Sequence, residues 1–75
     1  MSASQKLLVN AEGAIDSCNK AIKINPNFAE AHNHLGFALR GKGDVHAAIK
    51  CYKEALQIKP NFVEALNNMG TTSTN

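Results

Sequence analysis

Long apolar runs, blocks of basic residues and a signal-like start are all missing from this sequence. No apolar stretch approaches the roughly 20 residues that a membrane span requires. The net charge is only +2, and basic and acidic residues are interspersed, so nothing in the sequence favours nucleic acid. The first ten residues lack the basic start and long apolar centre of a secretory signal. We therefore expect a cytoplasmic protein that binds neither membranes nor nucleic acids.

Cysteine is scarce as well. Cys18 and Cys51 lie far apart in the chain, and neither belongs to a C-x-x-C pair. Free cysteine is among the most frequently buried residue types, and intracellular chains rarely keep disulfides. We expect both cysteines to be small packing residues within helices, although the sequence leaves a disulfide open.

Motifs for catalysis or cofactor binding are incomplete. The segment "GFALRGKGD", residues 36–44, contains most of a phosphate-binding loop, but Gly43 occupies the place of the hydroxyl residue that would hold Mg²⁺. No strand pattern precedes this segment, as such a loop requires. The three histidines lack H-E-x-x-H spacing, and G-x-S-x-G is absent. We predict no cofactor, no metal site and no enzymatic activity.

Internal repetition organises the chain. The segment "PNFAEAHNHLG" begins at Pro26 and "PNFVEALNNMG" begins at Pro60, an offset of 34 residues, with 7 of 11 aligned positions identical. The same offset aligns "AIDSCNKAIKINP", from Ala14, with "AIKCYKEALQIKP", from Ala48. A period of this length is typical of helical-repeat solenoids, so we predict an all-α fold.

Each unit is predicted to form a hairpin of two helices. The first helix is expected from Phe28 to Arg40. Asn27 is its expected N-cap, and Glu30, three residues later, would complete a capping box. This predicts a helix whose first turn is held by side-chain hydrogen bonds.

The second helix of the hairpin has clear limits in the sequence. Gly41 and Gly43 are expected to form the preceding turn, because glycine tolerates the positive φ angles found after helix ends. Asp44 is the expected N-cap of a helix over Val45–Ile58. Pro60 then stops this helix, because proline cannot continue the hydrogen-bond ladder.

The flanking helices are predicted by the same offset. Asn10 aligns with Asp44 and is expected to cap a helix that ends near Ile24. Asn61 is expected to cap a helix that starts at Phe62 and reaches Gly70, after which the threonine-rich end should fray. The predicted organisation is a non-repeat segment 1–9, a repeat domain 10–70 (partial repeat 10–28, full repeat 29–62, partial repeat 63–70) and a disordered tail 71–75.

The spaced residues within this period resemble the tetratricopeptide repeat family. Those that carry the resemblance are Leu35, Gly36, Ala48, Tyr52, Ala55 and Pro60. His32 stands where the family usually has Trp, and Leu39 where it usually has Tyr. The resemblance spans about residues 10–70 and implies stacked helical hairpins.

Small residues explain how such a hairpin can pack. Gly36, Ala48 and Ala55 have almost no side chain, so two helices can approach closely at these positions. Larger apolar residues are expected to fill the space around the contacts: Leu35, Leu39, Ile49, Tyr52, Leu56 and Ile58. One hairpin cannot bury such a stripe alone, which is why repeats of this kind stack.

Binding is the function that the resemblance implies. In the family, the concave surface is formed by the first helix of each repeat. The candidate partner-binding residues are Glu30, Asn33, His34, Phe37 and Arg40 in the full repeat, and Glu64, Asn67 and Asn68 in the next. The alternative is that these are ordinary polar surface residues.

Two binding modes of the family can be compared with these positions. A clamp for a C-terminal carboxylate would need Lys at Asn33 and Asn at Phe37, so the sequence does not resemble that mode. The stretch "ALNNMG" is closer to the asparagine-lined groove of O-linked N-acetylglucosamine transferases and microbial repeat proteins. Asn68 would then grip a peptide backbone, while His34 replaces asparagine in the full repeat.

The sequence therefore predicts a protein–protein interaction module that binds a peptide or partner protein on its concave face. Two alternatives remain open. The chain could be a self-associating scaffold, a homo-oligomer joined through apolar faces at its ends. It could also be part of a longer array attached to an enzyme such as a glycosyltransferase.

Overall fold

Residues 2–74 form four α-helices. The computed structural model describes the backbone of residues 2–74 and the side chains of residues 12–72. The helices are α1 (Ser2–Ile24), α2 (Ala29–Lys42), α3 (Val45–Ile58) and α4 (Val63–Thr74), and no strand occurs in the described backbone. Helix α2 packs against both α1 and α3, and α4 packs against α3 and more lightly against α2. This confirms the predicted all-α repeat architecture.

The helices occupy two alternating places in the repeat. We call α2 and α4 the A helices and α1 and α3 the B helices, because a shift of 34 residues superposes the sequence of α2 on α4 and the second part of α1 on α3. None of the helices in the described part of the chain is long and apolar enough to cross a membrane.

The turn between α2 and α3 is set by one glycine. Gly43 has a φ angle of 100°, in the left-handed region that residues with a Cβ rarely adopt. Its N–H donates to the carbonyl of Arg40 at 3.0 Å, and the N–H of Asp44 donates to that of Leu39 at 2.9 Å. This is the Schellman pattern of a helix end. Gly41 lies inside α2, so the predicted turn is two residues shorter than expected, whereas the bounds of α3 are confirmed.

The predicted side-chain caps are wrong. Phe28, in an extended conformation, is the N-cap of α2, and no side chain caps the helix. The carbonyl of Phe28 accepts hydrogen bonds from the N–H groups of Ala31 and His32. The cap position is therefore Phe28, one residue after the expected cap, Asn27. Phe62 likewise stands directly before α4, so the expected cap of that helix, Asn61, lies one residue too early. Asp44 is the N-cap of α3 as predicted, but its carboxylate makes no cap hydrogen bond.

The two outer helices are longer than expected. Helix α1 runs unbroken from Ser2, so Asn10 lies inside it and does not cap it. No proline or glycine occurs in residues 2–9, so nothing there stops a helix. Helix α4 continues through Thr74 and is therefore longer than the predicted helix, which ends at Gly70. The predicted disorder of the tail stays a prediction. Residue 75 lies outside the described residues, and the domain limits stay a prediction.

The core lies between α2, α3 and α4. Ala48, Tyr52 and Ala55 of α3 are each 0% exposed. A Cβ built on Gly36 would lie 2.7 Å from Cε1 of Tyr52 and 3.0 Å from the carbonyl oxygen of Ala48. The sequence-based expectation of a close helix approach at these small residues is therefore confirmed. A second cluster, packed against Leu56 and Ile58, joins Ala29, Ala55, Phe62 and Ala65.

Candidate functional site

The two A helices line a groove between them. Between them lies a depression of about 210 Å³, which we call the α2–α4 groove. Its lining residues are Asn33, His34, Phe37, Glu64 and Asn68. All five are among the eight candidate residues that the sequence placed on the concave face, so the structure brings most of the predicted set together.

A hydrogen bond between two asparagines joins the helices beneath this groove. The Nδ2 amide of Asn68 donates to Oδ1 of Asn33 at 3.0 Å. Asn33 is only 3% exposed, so its side chain lies below the surface and positions Asn68. The bond uses one of the two Nδ2 hydrogens of Asn68, and an asparagine amide has one further hydrogen and a carbonyl oxygen. The half-buried Asn68 amide is therefore held at a fixed position at the edge of the groove.

Phe37 is the main apolar residue of the site. Its side chain is 60% exposed, although it lies in the middle of α2. It also borders a second depression, of about 460 Å³, between α1 and α2. This second depression is the α1–α2 groove, lined by Ala14, Ser17, Cys18, His34, Phe37, Ala38 and Gly41. Phe37 thus stands on the ridge between two grooves.

The other three candidate residues lie outside the α2–α4 groove. Glu30 borders a smaller depression between α1 and α2, beside Ser17 and Phe28. Arg40 and Asn67 border a depression of about 880 Å³ at the end of the molecule, the end depression. The predicted set is therefore a band along the A helices that spans several depressions.

Charge changes sign along this band. Glu30 and Glu64 lie in the first turns of α2 and α4. Arg40 lies in the last turn of α2. Each charge also opposes the partial charge that the helix dipole places at its own end, so the arrangement stabilises the helices. A chain bound along the band would meet acid near one end and base near the other.

The three histidines do not come together in one site. Nε2 of the half-buried His32 lies 3.0 Å from the carbonyl oxygen of Pro26, a contact to the loop before α2 that the sequence did not indicate. His46 is exposed. Within the described side chains, no group of three or more His, Cys, Asp or Glu residues could hold a metal ion.

The cysteines are free and half-buried. Burial raises the pKa of the Cys18 thiol. Burial also raises the pKa of Cys51, with smaller effects in the same direction from Glu54, Cys18 and Asp44. Both thiols are therefore poorer nucleophiles near neutral pH than an exposed cysteine, since the thiolate is the reactive form.

Sequence reasoning missed the end depression. It is lined by Arg40, Val45, Leu66, Asn67, Gly70, Thr71 and Thr72. The hydroxyls of Thr71 and Thr72 donate to the carbonyls of Asn67 and Asn68 at 2.9 and 2.7 Å, which satisfies these side chains within α4. The 34-residue offset could have indicated this depression, because it aligns Gly70 with Gly36, which is buried in a helix contact.

Comparison with known families agrees with the geometry. Residues 29–62 match the family model described as Tetratricopeptide repeat, and residues 10–43 match a second model, described as TPR repeat. The two matches overlap and together run from residue 10 to residue 62. No curated protein matches the chain.

Proposed function

Because the chain belongs to the tetratricopeptide repeat family, whose repeats generally mediate protein–protein interaction, we propose that it binds an extended segment of a partner protein in the α2–α4 groove. The observation that carries the proposal is the exposed Phe37, 60% accessible, beside the fixed amide of Asn68. An apolar ring next to an oriented amide offers one contact for a side chain and one for a peptide backbone.

The chemistry of the groove fits a peptide better than a compact ligand. An asparagine amide both donates to a backbone carbonyl and accepts from a backbone N–H. The bond to Asn33 restrains Asn68 before any ligand arrives, so less side-chain freedom is lost on binding. We propose that Asn68 grips the backbone, as in asparagine-lined grooves, and that His34 interrupts such a row in the full repeat.

The preferred peptide can be described by its chemistry. It carries an apolar side chain that packs on Phe37. A basic or donor group near Glu64 and an acidic group near Arg40 would complement the charges along the band. We propose that Glu30 and Asn67 extend this contact beyond the α2–α4 groove.

A displayed library of random short peptides, selected against the chain, tests the proposal. The selected peptides are then measured against Phe37→Ala, Asn67→Ala and Asn68→Ala. We expect each variant to weaken binding, by roughly 1–3 kcal/mol for loss of the Phe37 ring, a typical cost at a binding hot spot. Circular dichroism should show unchanged helicity in Phe37→Ala and Asn67→Ala, because both side chains are exposed.

Val63→Ala is the matched control for this experiment. Val63 is an exposed apolar residue of α4 that lines none of the depressions described above. It should leave peptide affinity unchanged. Equal affinity of all the selected peptides for the parent, Phe37→Ala and Asn67→Ala would show that the groove is not the binding site.

A further inference from the structure

The two B helices differ in how well the same positions are buried. Helices α1 and α3 are each followed by an A helix, but only α3 also has an A helix packed before it within the described residues. Ala48, Tyr52 and Ala55 of α3 are 0% exposed. Their equivalents in α1, in the same order, are the exposed Ala14 and the half-buried Cys18 and Ala21. The face of α1 that lacks cover is therefore the face on which an A helix packs.

The two A helices show the complementary difference. Helix α2 is followed by a B helix, and α4 is followed by none within residues 2–74. Gly36 is buried against Tyr52, whereas its equivalent in α4, Gly70, is exposed, and a Cβ built there meets nothing within 4 Å. Leu66, near Gly70 in the end depression, is also an exposed large apolar residue. The face of α4 that lacks cover is the face on which a B helix packs.

The α1–α2 groove has the lining of an A-helix site. Ala14, Ser17 and Cys18 line it. They are the equivalents of Ala48, Cys51 and Tyr52, by the 34-residue offset. In the full repeat, Gly36 of an A helix lies on Ala48 and Tyr52. The interface between α2 and α3 therefore shows which element fits the α1–α2 groove, namely an A helix with a glycine at the contact.

We propose that a second copy of this chain fills these faces. Helix α4 of one copy lies in the α1–α2 groove of the next, with its Gly70 against Cys18 and Ala14 of that copy. Each copy supplies a helix that the described residues of the other do not place on this face, so one A helix and one B helix from different chains complete a repeat. The proposed contact continues the interface that already joins α2 to α3 inside the molecule.

The geometry determines the kind of assembly. The two faces lie on different helices, so the contact is heterologous, and each added copy presents a new free face. A series of oligomers that grows with protein concentration is expected, in place of a single dimer. Ala14, Cys18 and Gly70 do not line the α2–α4 groove, and Asn68 does not line the α1–α2 groove, so a failed peptide experiment and a failed assembly experiment are distinguishable.

Thiol cross-linking tests the register of the contact. In Gly70→Cys, the new thiol of one copy should lie beside the native Cys18 of the next, and mild oxidation or a short bis-maleimide should give a ladder of covalent oligomers. The ladder should persist in Gly70→Cys/Cys51→Ser and be lost in Gly70→Cys/Cys18→Ser. A ladder that survives without Cys18, or no ladder at any concentration, would overturn the proposal.

Light scattering across a concentration series tests the contact without cross-links. Gly70→Gln should weaken association by about tenfold or more, because a long side chain would enter a close helix contact. The isolated chain should tolerate it, since the site is open and glutamine favours helix over glycine. Gly13→Gln, at an exposed helical glycine outside the α1–α2 groove, should associate like the parent. A parent that stays monomeric, or equal association of both variants, would refute the assembly.

Discussion

At Gly36 the absence of a side chain decides how closely two helices approach. An added Cβ would lie 2.7 Å from the buried Tyr52 ring and 3.0 Å from the backbone oxygen of Ala48. The ring is 0% exposed and has little room to move, and the backbone of α3 would have to shift. This contact limits how closely α3 can approach α2 at Gly36, and it makes a direct prediction.

We expect Gly36→Ala to lower the free energy of unfolding by roughly 1–3 kcal/mol, the usual cost of overpacking a core. Gly41→Ala in the same helix is the control, because a Cβ there meets nothing within 4 Å. It should gain up to about 1 kcal/mol from helix propensity. Urea unfolding at low protein concentration measures both, and equal midpoints would contradict the close contact.

Tyr52 carries a polar atom into the core. Thr72 faces the Tyr52 hydroxyl, but the oxygen is buried and makes no hydrogen bond among the described side chains. Burial raises the pKa of Tyr52, and the Arg40 charge and the Thr72 hydroxyl only partly oppose this. A buried polar atom without a partner costs free energy, so the hydroxyl adds little to stability.

The variant Tyr52→Phe should therefore be at least as stable as the parent at neutral pH. Because the folded pKa of Tyr52 lies above its unfolded value of about 10, the neutral hydroxyl favours the fold below that pH, and stability falls as pH rises through the folded pKa. The parent should lose stability above about pH 10, and Tyr52→Phe should lose less. Both proteins keep Cys18 and Cys51, so the difference between their urea midpoints reports Tyr52, including its interaction with Cys51. Parallel pH profiles would contradict this account.

Asn33 shows the limit of residue-scale prediction. Its place on the concave side of α2 could be predicted from helical spacing, and it does line the α2–α4 groove. Its burial could not, because that depends on Asn68 reaching across from the next repeat. A periodic pattern identifies a face of one helix but not the partner that a neighbouring helix presents to it.

At the scale of helices, the sequence was informative wherever a residue restricts the backbone. The bounds of α3 could be predicted fully because Gly43 adopts a left-handed conformation before it and Pro60 follows it. The start of α1 could not, since Asn10 resembles a cap only by alignment with Asp44. An asparagine inside a segment with no helix breaker joins the helix, because each added residue contributes a backbone hydrogen bond.

The missed caps have a related cause at the element scale. Asn27 and Asn61 each stand one residue too early, because the short turns after α1 and α3 place Phe28 and Phe62 directly before the A helices. Phe62 is 9% exposed and packs on Ala55 and Ala65. At α4, packing of the aromatic side chain therefore sets the first residue of the helix, and the preference of asparagine for the N-cap does not.

At the scale of the whole molecule, the same repeat forms both the α2–α4 groove and the open faces at the two ends. The A helices present the α2–α4 groove on one side, and their packing positions recur at the ends of the molecule. Phe28 is 39% exposed, whereas its equivalent Phe62 is 9% exposed. The same residue types thus become a core or an open face according to whether another helix lies beside them. The repeat could be predicted from the sequence, but which faces are open required the structure.

One residue difference between the two B helices offers a test of the whole assembly. Cys18 occupies in α1 the place that Tyr52 occupies in α3, where the ring packs on Gly36. Cys18→Tyr should restore this pairing between copies, with the ring of one chain on Gly70 of the next. The larger buried apolar area should strengthen association. Light scattering should then give a higher mean mass than the parent at each concentration.

The double variant Cys18→Tyr/Gly70→Gln separates this specific contact from general stickiness. A new exposed tyrosine could promote non-specific association, but that effect would not depend on residue 70 in another copy. If the ring packs as it does in the full repeat, the glutamine removes the gain and the double variant associates no more than Gly70→Gln alone. A mean mass that stays high in the double variant would mean that the ring acts elsewhere, and that the two ends of the molecule do not join through the register of the repeat.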